Sequence, residues 1–303
     1  MKIVILGGSG YLASCLSYYL KKKNKITLVS TKPDKINYRL RNVKIKKANY
    51  LKLNSLIKIF KNQDYIFHLV GANKHDSSKY KKKNFNLKIN TTKKIIKAAN
   101  FSKTKIIYFS SAQVYKDINK EKATINELSK VFKSNQYTAN HIEAENLILE
   151  DIKKNKSEHK IIRLSSVFGM PFFNFNKEAF NLIINSLCLQ AYQEKKITIG
   201  DPSIFRDFIP SKVFNDFEKY FFNKKKLNII NLGFKTYSLI EIAKLIKKIC
   251  ERKFKFSPYI DIKSVSSFRN KSYFKSKYYK FNKNTEIIHY EINNLLNLIK
   301  RNV

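Results

Sequence analysis

The sequence predicts an α/β fold, a doubly wound parallel sheet with helices on both faces and a smaller C-terminal lobe. Three observations predict it. An apolar, β-branched run opens the chain and leads directly into a glycine-rich turn. Strand-like and helix-like segments then alternate through the first half. Beyond Gly169 the alternation gives way to an irregular pattern, which predicts the lobe. The expected division is residues 1–165 for the sheet domain and 166–303 mainly for the smaller lobe, partly interleaved with the sheet.

Lys2-Ile3-Val4-Ile5-Leu6 reads as a buried parallel strand because its apolar run is unbroken. Gly7-Gly8-Ser9-Gly10 then turns the chain, and Tyr11 to Leu20 reads as a helix whose N-terminus can hold phosphates. Leu12-Ala13-Ser14-Cys15 also has the look of a lipoprotein signal, but three glycines interrupt the stretch and Lys2 is its one basic residue. The strand-and-turn reading is therefore preferred. Lys25-Ile26-Thr27-Leu28-Val29-Ser30 is the second strand and Val43-Lys44-Ile45 a short third. A helix follows over Leu53 to Lys61, then a strand over Tyr65 to Val70. Ile89 to Ala99 is helical, Lys105 to Ser110 extended, Tyr137 to Asp151 helical, and Lys160 to Leu164 extended.

At 303 residues the chain can bury a full core in one large domain or two lobes. No apolar run approaches the roughly 18 residues that span a bilayer, so no membrane insertion is expected. Cys15, Cys188 and Cys250 are sparse and far apart, which predicts a reducing, cytoplasmic setting without a disulfide framework. His68 and His75 lack ligand spacing, and no metal site is expected. The net charge of +39 invites a nucleic-acid reading. Lysine is spread along the whole chain, however, beside abundant Asn, Ile, Phe and Tyr, residue types that share AT-rich codons. Runs such as Lys21-Lys22-Lys23 and Lys224-Lys225-Lys226 fall at expected helix ends, where cations suit the dipole. A nucleic-acid partner is not expected; the field still attracts anionic ligands.

Several ordered segments together resemble the extended short-chain dehydrogenase/reductase family, the NAD(P)-dependent nucleotide-sugar epimerases and dehydratases. Gly7, Gly10 and Ala13 match its glycine positions, and Asp64-Tyr65-Ile66-Phe67-His68-Leu69 its fourth strand. Ser110-Ser111-Ala112-Gln113-Val114-Tyr115 matches the strand end that carries a catalytic serine. Ile125-Asn126-Glu127 precedes Tyr137 as an acidic segment precedes the family's tyrosine. Arg163 to Gly169, Gly200-Asp201 with Arg206-Asp207-Phe208-Ile209, and Asn231-Leu232-Gly233 with Ser238 to Ala243 continue the match. The resemblance runs from residue 1 to about 245 and implies a Rossmann-type sheet, NAD or NADP, and a nucleotide-diphosphate sugar. It also implies a homodimer through a four-helix bundle that includes the helices following Ile89 and Tyr137.

The resemblance implies Ser111 and Tyr137 as catalytic hydroxyl and base, with core tyrosine and strand-end cap as the structural alternatives. The family pattern Tyr-x-x-x-Lys here reads Tyr137-Thr138-Ala139-Asn140-His141, so His141 takes the lysine's place on the helix face. A cation about 4 Å from the phenol is worth roughly 4 kcal/mol, about three pKa units at most. A histidine titrating near pH 6.5 forfeits most of that at neutral pH, while still able to hydrogen-bond the nicotinamide ribose. The implied cofactor contacts are Gly7, Gly10, Tyr11, Leu12, Ser30, Thr31, Lys32, Asn49, Leu69, Val70, Tyr137 and His141. Ser30 stands where NAD-preferring members carry a carboxylate, and with Thr31 and Lys32 it tips the expectation slightly towards NADP. Asn49 replaces the aspartate usual near adenine. Implied substrate contacts are Ser111, Ser166 in place of an asparagine, Arg206 and, more weakly, Arg269. Arg206 suits a diphosphate, with a salt bridge to Asp207 as its structural alternative. The expected function is epimerisation, dehydration or keto-reduction of a nucleotide sugar. The alternative is a catalytically degenerate NAD(P)-binding member with a structural, regulatory or RNA-binding role.

Overall fold

The computed structural model describes residues 1–36, 40, 42–71, 81–116, 123–170, 177–222, 227–264, 272–278 and 284–302. Its first elements are β1 (Lys2–Leu6), α1 (Tyr11–Leu20), β2 (Lys25–Ser30), β3 (Val43–Lys47), α2 (Leu53–Phe60), β4 (Tyr65–His68), α3 (Lys81–Ser102) and β5 (Lys105–Ser111). There follow β6 (Thr124–Ile125), α4 (Gln136–Asn155), β7 (Lys160–Leu164), β8 (Ser166–Phe168), α5 (Ile183–Gln193), β9 (Lys196–Ile199) and β10 (Phe205–Pro210). The last are α6 (Phe217–Phe221), β11 (Ile229–Leu232), β12 (Lys235–Ser238), α7 (Leu239–Ile249), β13 (Tyr259–Ile262), β14 (Tyr273–Phe274) and α8 (Glu286–Asn302).

Two compact units form. The first contains Met1–Lys116, Ser129–Leu164 and Asn215–Asn231; the second contains Asp117–Leu128, Ser165–Phe214 and Leu232–Val303. Residues 215–231 join the first unit because the segment before β11 pairs with β7, the Ile161 amide donating to the Asn228 carbonyl at 2.7 Å.

The first unit carries a seven-stranded sheet in the order β11-β7-β5-β4-β1-β2-β3. The pairs β1–β2, β1–β4, β2–β3, β4–β5 and β5–β7 are all parallel. Ile3, Val4, Ile5 and Leu6 are fully buried, as are Ile106, Ile107, Tyr108, Ile161 and Ile162. Burial on both faces explains why these strands read as unbroken apolar runs. The chain winds outward in both directions from β1, so the carboxyl ends of β1 and β4 flank a topological switch point, where such sheets bind ligands.

Several boundaries differ from expectation: β3 runs on to Lys47, α2 stops at Phe60, β5 reaches Ser111 and α4 spans Gln136–Asn155, and β4 and α3 differ as well. The strand over Tyr65 to Val70 stops at His68, because the Val70 amide leaves the ladder and donates to His68 Nδ1 at 3.3 Å. The helix expected over Ile89 to Ala99 extends from Lys81 to Ser102. Its lysine-rich first turn shows no apolar stripe, yet lysine is a good helix former. The start of α4 is set locally by a capping box: the Thr138 amide donates to Asn135 Oδ1 at 3.0 Å, and the Asn135 amide donates to Thr138 Oγ1 at 3.1 Å. That cap fixes Tyr137 in the first helical turn.

In the second unit, β10 lies between β12, antiparallel to it, and β8, parallel to it. A matching capping box of Ser238 and Glu241 starts α7. No helix among the described residues is long and apolar enough to cross a membrane.

Candidate active site

The turn after β1 is closed by its own backbone. The Gly8 amide donates to the Val29 carbonyl at 2.8 Å and the Gly10 amide to the Gly7 carbonyl at 3.0 Å. Tyr50, which the sequence pattern does not single out, braces it: the Gly7 amide donates to the Tyr50 hydroxyl at 3.0 Å, which donates to the Val29 carbonyl at 2.7 Å. The three glycines have different reasons to be there. Gly7 has φ +83°, and a Cβ on it would lie 3.2 Å from the Leu69 carbonyl carbon. A Cβ on Gly8 would lie 3.0 Å from the Val29 amide nitrogen. Both are glycines for the fold's own packing. Gly10 is exposed, and a Cβ there would meet only the Gly7 carbonyl oxygen, at 3.3 Å. It caps α1 without any side-chain bond to the helix N-terminus. The protein leaves this space open, which fits a pyrophosphate against the backbone at the start of Tyr11–Leu12.

The other residues expected around a dinucleotide are placed as follows. Leu69 and Val70 follow β4, with Leu69 backbone against Gly7. Ser30 ends β2, its hydroxyl donating to Ser9 Oγ at 3.3 Å and accepting the Lys32 amide at 3.0 Å. Thr31 and Lys32 are exposed. Asn49 is exposed and its Oδ1 accepts the Leu51 amide at 2.9 Å, so its side chain serves a local turn.

Ser111 ends β5 and Tyr137 opens α4. Ser111 Oγ accepts the Gln113 amide at 3.2 Å, capping a short 3-10 turn over Ala112–Val114. Its own proton is not used in that cap, and the Ser111 hydroxyl acts on the Tyr137 phenol. Burial pushes the Tyr137 pKa above its ordinary value near 10, and the Ser111 hydroxyl pulls it back in part. His141 lies edge-on to the Tyr137 ring with centroids 4.6 Å apart. Its Nδ1 is 2.7 Å from the Tyr108 hydroxyl. Burial foremost, with Lys88 and His68 close by opposing a further cation, drives the His141 pKa well below the usual imidazole range. His141 is thus a neutral hydrogen-bonding group rather than a cation.

Beneath it, Thr92 gives its one hydroxyl proton to the Lys88 carbonyl at 2.8 Å, so it accepts from His68 Nε2 at 3.0 Å. His68 Nδ1 takes the Val70 amide. This bonding fixes His68 as the neutral Nε2–H tautomer, in line with its strongly lowered pKa.

The apolar pattern does not reveal Lys88. It is only 5% exposed, and its Nζ donates to the Val70 carbonyl at 2.7 Å and lies 4.9 Å from the centre of the Tyr108 ring. A readable signal exists: Lys88, Thr92, Ile95 and Ala99 share one helical stripe, and all four are buried. Burial pushes the Lys88 pKa down to about 7, against about 10.4 in an unfolded chain. Between those values the unfolded chain holds a proton that the folded one has lost, so this group makes stability rise with pH. Denaturant unfolding from about pH 7 to 9.5, below the range where tyrosines titrate, is expected to show that rise, and Lys88→Met to flatten it.

In the second unit, Arg206 and Phe208 lie on one face of β10, and Ser166 pairs with Phe208, so Ser166 and Arg206 share that face. The Arg206–Asp207 salt bridge is not formed: Asp207 Oδ1 accepts the Phe234 amide at 2.8 Å. Arg206 is half-buried, and burial alone acts on its pKa, lowering it, with no anion opposing. Glu127 of the acidic segment is structural, accepting from Ser276 Oγ at 2.6 Å and the Lys277 amide at 2.8 Å. Arg269, His75 and Lys224-Lys225-Lys226 lie outside the described residues. No cluster of three metal-ligating side chains occurs among the described residues.

Residues 3–212 match the model of the NAD dependent epimerase/dehydratase family. The chain belongs to that family. The epimerase/dehydratase fold is shared with solved structures along the whole chain. A UDP-N-acetylglucosamine 4-epimerase from Methanobrevibacter ruminantium, in complex with UDP-N-acetylmuramic acid, superposes with a TM-score of 0.81 at 19% identity, covering 100% of this chain and 99% of that one. A UDP-glucose 4-epimerase from Thermotoga maritima with UDP-glucose gives 0.79 at 14% identity, with 100% and 99% coverage. A UDP-glucuronic acid 4-epimerase from Bacillus cereus, with UDP-glucuronic acid and NAD, gives 0.76 at 19% identity and full coverage of both chains. A dTDP-D-glucose 4,6-dehydratase from Dictyostelium discoideum is 28% identical over 214 residues, 61% of this chain. The chain spans about half the length of that relative, 48%.

Proposed function

We propose that this family member is an NAD(P)-dependent epimerase, dehydratase or reductase of a nucleotide-diphosphate sugar, with Tyr137 as the base. The observation that carries the reading is the Ser111 hydroxyl at the end of β5 acting on the Tyr137 phenol at the start of α4, in the unit whose glycine turn is left open at Gly10. When bound, the nicotinamide accepts and returns the hydride. The rest falls to the chain. Gly7, Gly10, Tyr11 and Leu12 hold the pyrophosphate at the head of α1. Leu69 and Val70 line the switch point, and Ser30, Thr31 and Lys32 meet the adenosine ribose. With no carboxylate at the end of β2 and a lysine two residues on, a 2′-phosphate is tolerated, and NADP is slightly preferred. Ser111 donates to the sugar oxygen and Tyr137 takes the sugar hydroxyl proton. His141, neutral, orients the nicotinamide ribose through its ring nitrogen. We likewise assign dimerisation to a bundle of α3 and α4; Leu87 and Phe101 of α3 are exposed.

Arg206 and Ser166 are assigned to the sugar nucleotide. A half-buried guanidinium without an acidic partner among the described residues suits a diphosphate, to which it donates two parallel bonds. Arg206→Ala is expected to weaken nucleotide-sugar binding about 10- to 100-fold, the equivalent of 1.5–3 kcal/mol, and to leave dinucleotide affinity almost unchanged. Calorimetry with UDP-glucose and with NAD and NADP measures both; equal losses would make Arg206 structural. The reaction class is tested by incubating the protein and NAD(P) with UDP-glucose, UDP-N-acetylglucosamine, UDP-glucuronic acid and dTDP-glucose and reading products by NMR. Epimerised, dehydrated or reduced sugar supports the reading. Dinucleotide binding without product from any of them favours a non-catalytic binder.

A further inference from the structure

We propose that Glu291, on the C-terminal helix α8, is a positioning residue for the sugar nucleotide: its carboxylate pins the ends of β8 and β10 to one another and so fixes Ser166 against Arg206. The proposal rests on the reading that those two residues meet the sugar nucleotide. Glu291 acts through the two strands and takes no part in the chemistry.

Glu291 interrupts an apolar stripe. The inner face of α8 buries Ile288, Ile292, Leu295, Leu296 and Ile299, and Glu291 is the acidic member of that face, 1% exposed. A buried carboxylate is costly unless its oxygens are served. These are served from two strands. Oε1 accepts the Ser211 hydroxyl at 2.9 Å and the Lys212 amide at 2.7 Å, and Oε2 accepts the Met170 amide at 3.5 Å. An apolar side chain would fill the stripe without that cost. The reason for the carboxylate is therefore sought in what it holds.

It holds the place where a short ladder runs out. β8 and β10 pair in three positions, Ser166 with Phe208, Val167 with Ile209 and Phe168 with Pro210. Pro210, in the last pair, has no amide to donate. Beyond it Gly169–Met170 leave β8 and Ser211–Lys212 leave β10, and the carboxylate takes one backbone amide from each. It stands in for the next rung. Gly169 fits the same clamp: it has φ +131°, and a Cβ there would lie 2.5 Å from Ser211 Oγ and 2.8 Å from Glu291 Oε2. From α5, the buried Asn185 takes the Gly169 amide at 3.2 Å and donates to its carbonyl at 3.1 Å. So short a pairing has little hold of its own. A one-residue slip turns the whole of β8 over, and Ser166 would leave the face it shares with Arg206. Glu291 lies outside the family match over residues 3–212, so the pin comes from beyond the matched segment.

The test removes the pin and reads the two strands and the ligand separately. Glu291→Met suits the stripe and removes both oxygens; Glu291→Gln keeps one and turns the other into a donor. Amide exchange over residues 166–170 and 208–212, followed by mass spectrometry without ligand, is expected to quicken in both variants, while that over 105–111 stays as in wild type. By calorimetry, Glu291→Met is expected to weaken UDP-glucose at least about tenfold and Glu291→Gln less, with NAD affinity within about twofold of wild type. The readout that mere packing would not move is the cycle with Arg206→Ala: in that background Glu291→Met should cost less than about threefold more. Unchanged exchange at the strand ends, or unchanged UDP-glucose affinity, in a folded variant overturns the proposal. Losses that simply add in the cycle, or that fall equally on NAD, make Glu291 a packing residue and overturn it too. If Glu291→Met does not fold, the isosteric Glu291→Gln carries the same readouts. Exchange needs no ligand, so a wild type that binds no sugar nucleotide counts against the reading of Ser166 and Arg206 and is told apart from a failed pin.

Discussion

Tyr137→Phe is expected to abolish hydride transfer, with single-turnover rates falling roughly a hundred- to ten-thousand-fold. The substitution deletes one oxygen. It keeps the ring that lies edge-on to His141 at 4.6 Å, so packing at the start of α4 stays. It removes the phenol on which the Ser111 hydroxyl acts, and with it the proposed acceptor of the sugar proton. Dinucleotide affinity should change little, because most assigned cofactor contacts lie in the glycine turn, after β2 and after β4, and the phenol oxygen is at most one among them. The measurement is rapid-mixing absorbance of the reduced nicotinamide, over several pH values, with a nucleotide sugar that the wild type converts. A variant within about threefold of wild type would make Tyr137 a core tyrosine, and the base would have to be sought elsewhere.

The sheet was legible because its chemistry is repetitive. Strands buried on both faces carry unbroken apolar runs, and β1, β2, β5 and β7 fall where those runs fall. Side-chain chemistry that interrupts a pattern was less legible. Strand β4 ends early because a histidine side chain captures the Val70 amide, an event no periodicity encodes. The start of α3 was missed because Lys81 to Asn84 present no apolar stripe. With it went Lys88, which looks like one more solvated lysine in a chain of net charge +39. Local turns are also invisible to motif matching: Asn49 occupies a position near the expected adenine site, yet its Oδ1 is engaged by Leu51. Arg206 shows the reverse case. Its neighbour Asp207 suggests an ion pair in the sequence, but adjacent strand residues point to opposite faces, and the carboxylate bonds to the Phe234 amide instead.

Gly10→Val is expected to weaken both NAD and NADP by at least about 100-fold, about 2.7 kcal/mol, while the protein stays folded. The two halves of that expectation come from separate observations. Gly10 has φ −83° and ψ 158°, ordinary extended backbone that valine adopts readily. Its Cβ direction is open apart from the Gly7 carbonyl oxygen at 3.3 Å, so the chain itself has room for the branched side chain. A ligand does not: the added methyl groups stand in front of the α1 N-terminus, where no side chain competes for its amides. Gly7→Val is the control. At φ +83°, with the Leu69 carbonyl carbon 3.2 Å from the new Cβ, it is expected to lower the melting temperature as well. Calorimetric titration with each dinucleotide, paired with circular dichroism and thermal unfolding, separates the two variants. In wild type the same titrations compare the two cofactors, with NADP expected to bind slightly more tightly than NAD. A folded Gly10→Val protein that binds both as tightly as wild type would remove the pyrophosphate from this turn, and with it the assignment of Tyr11 and Leu12.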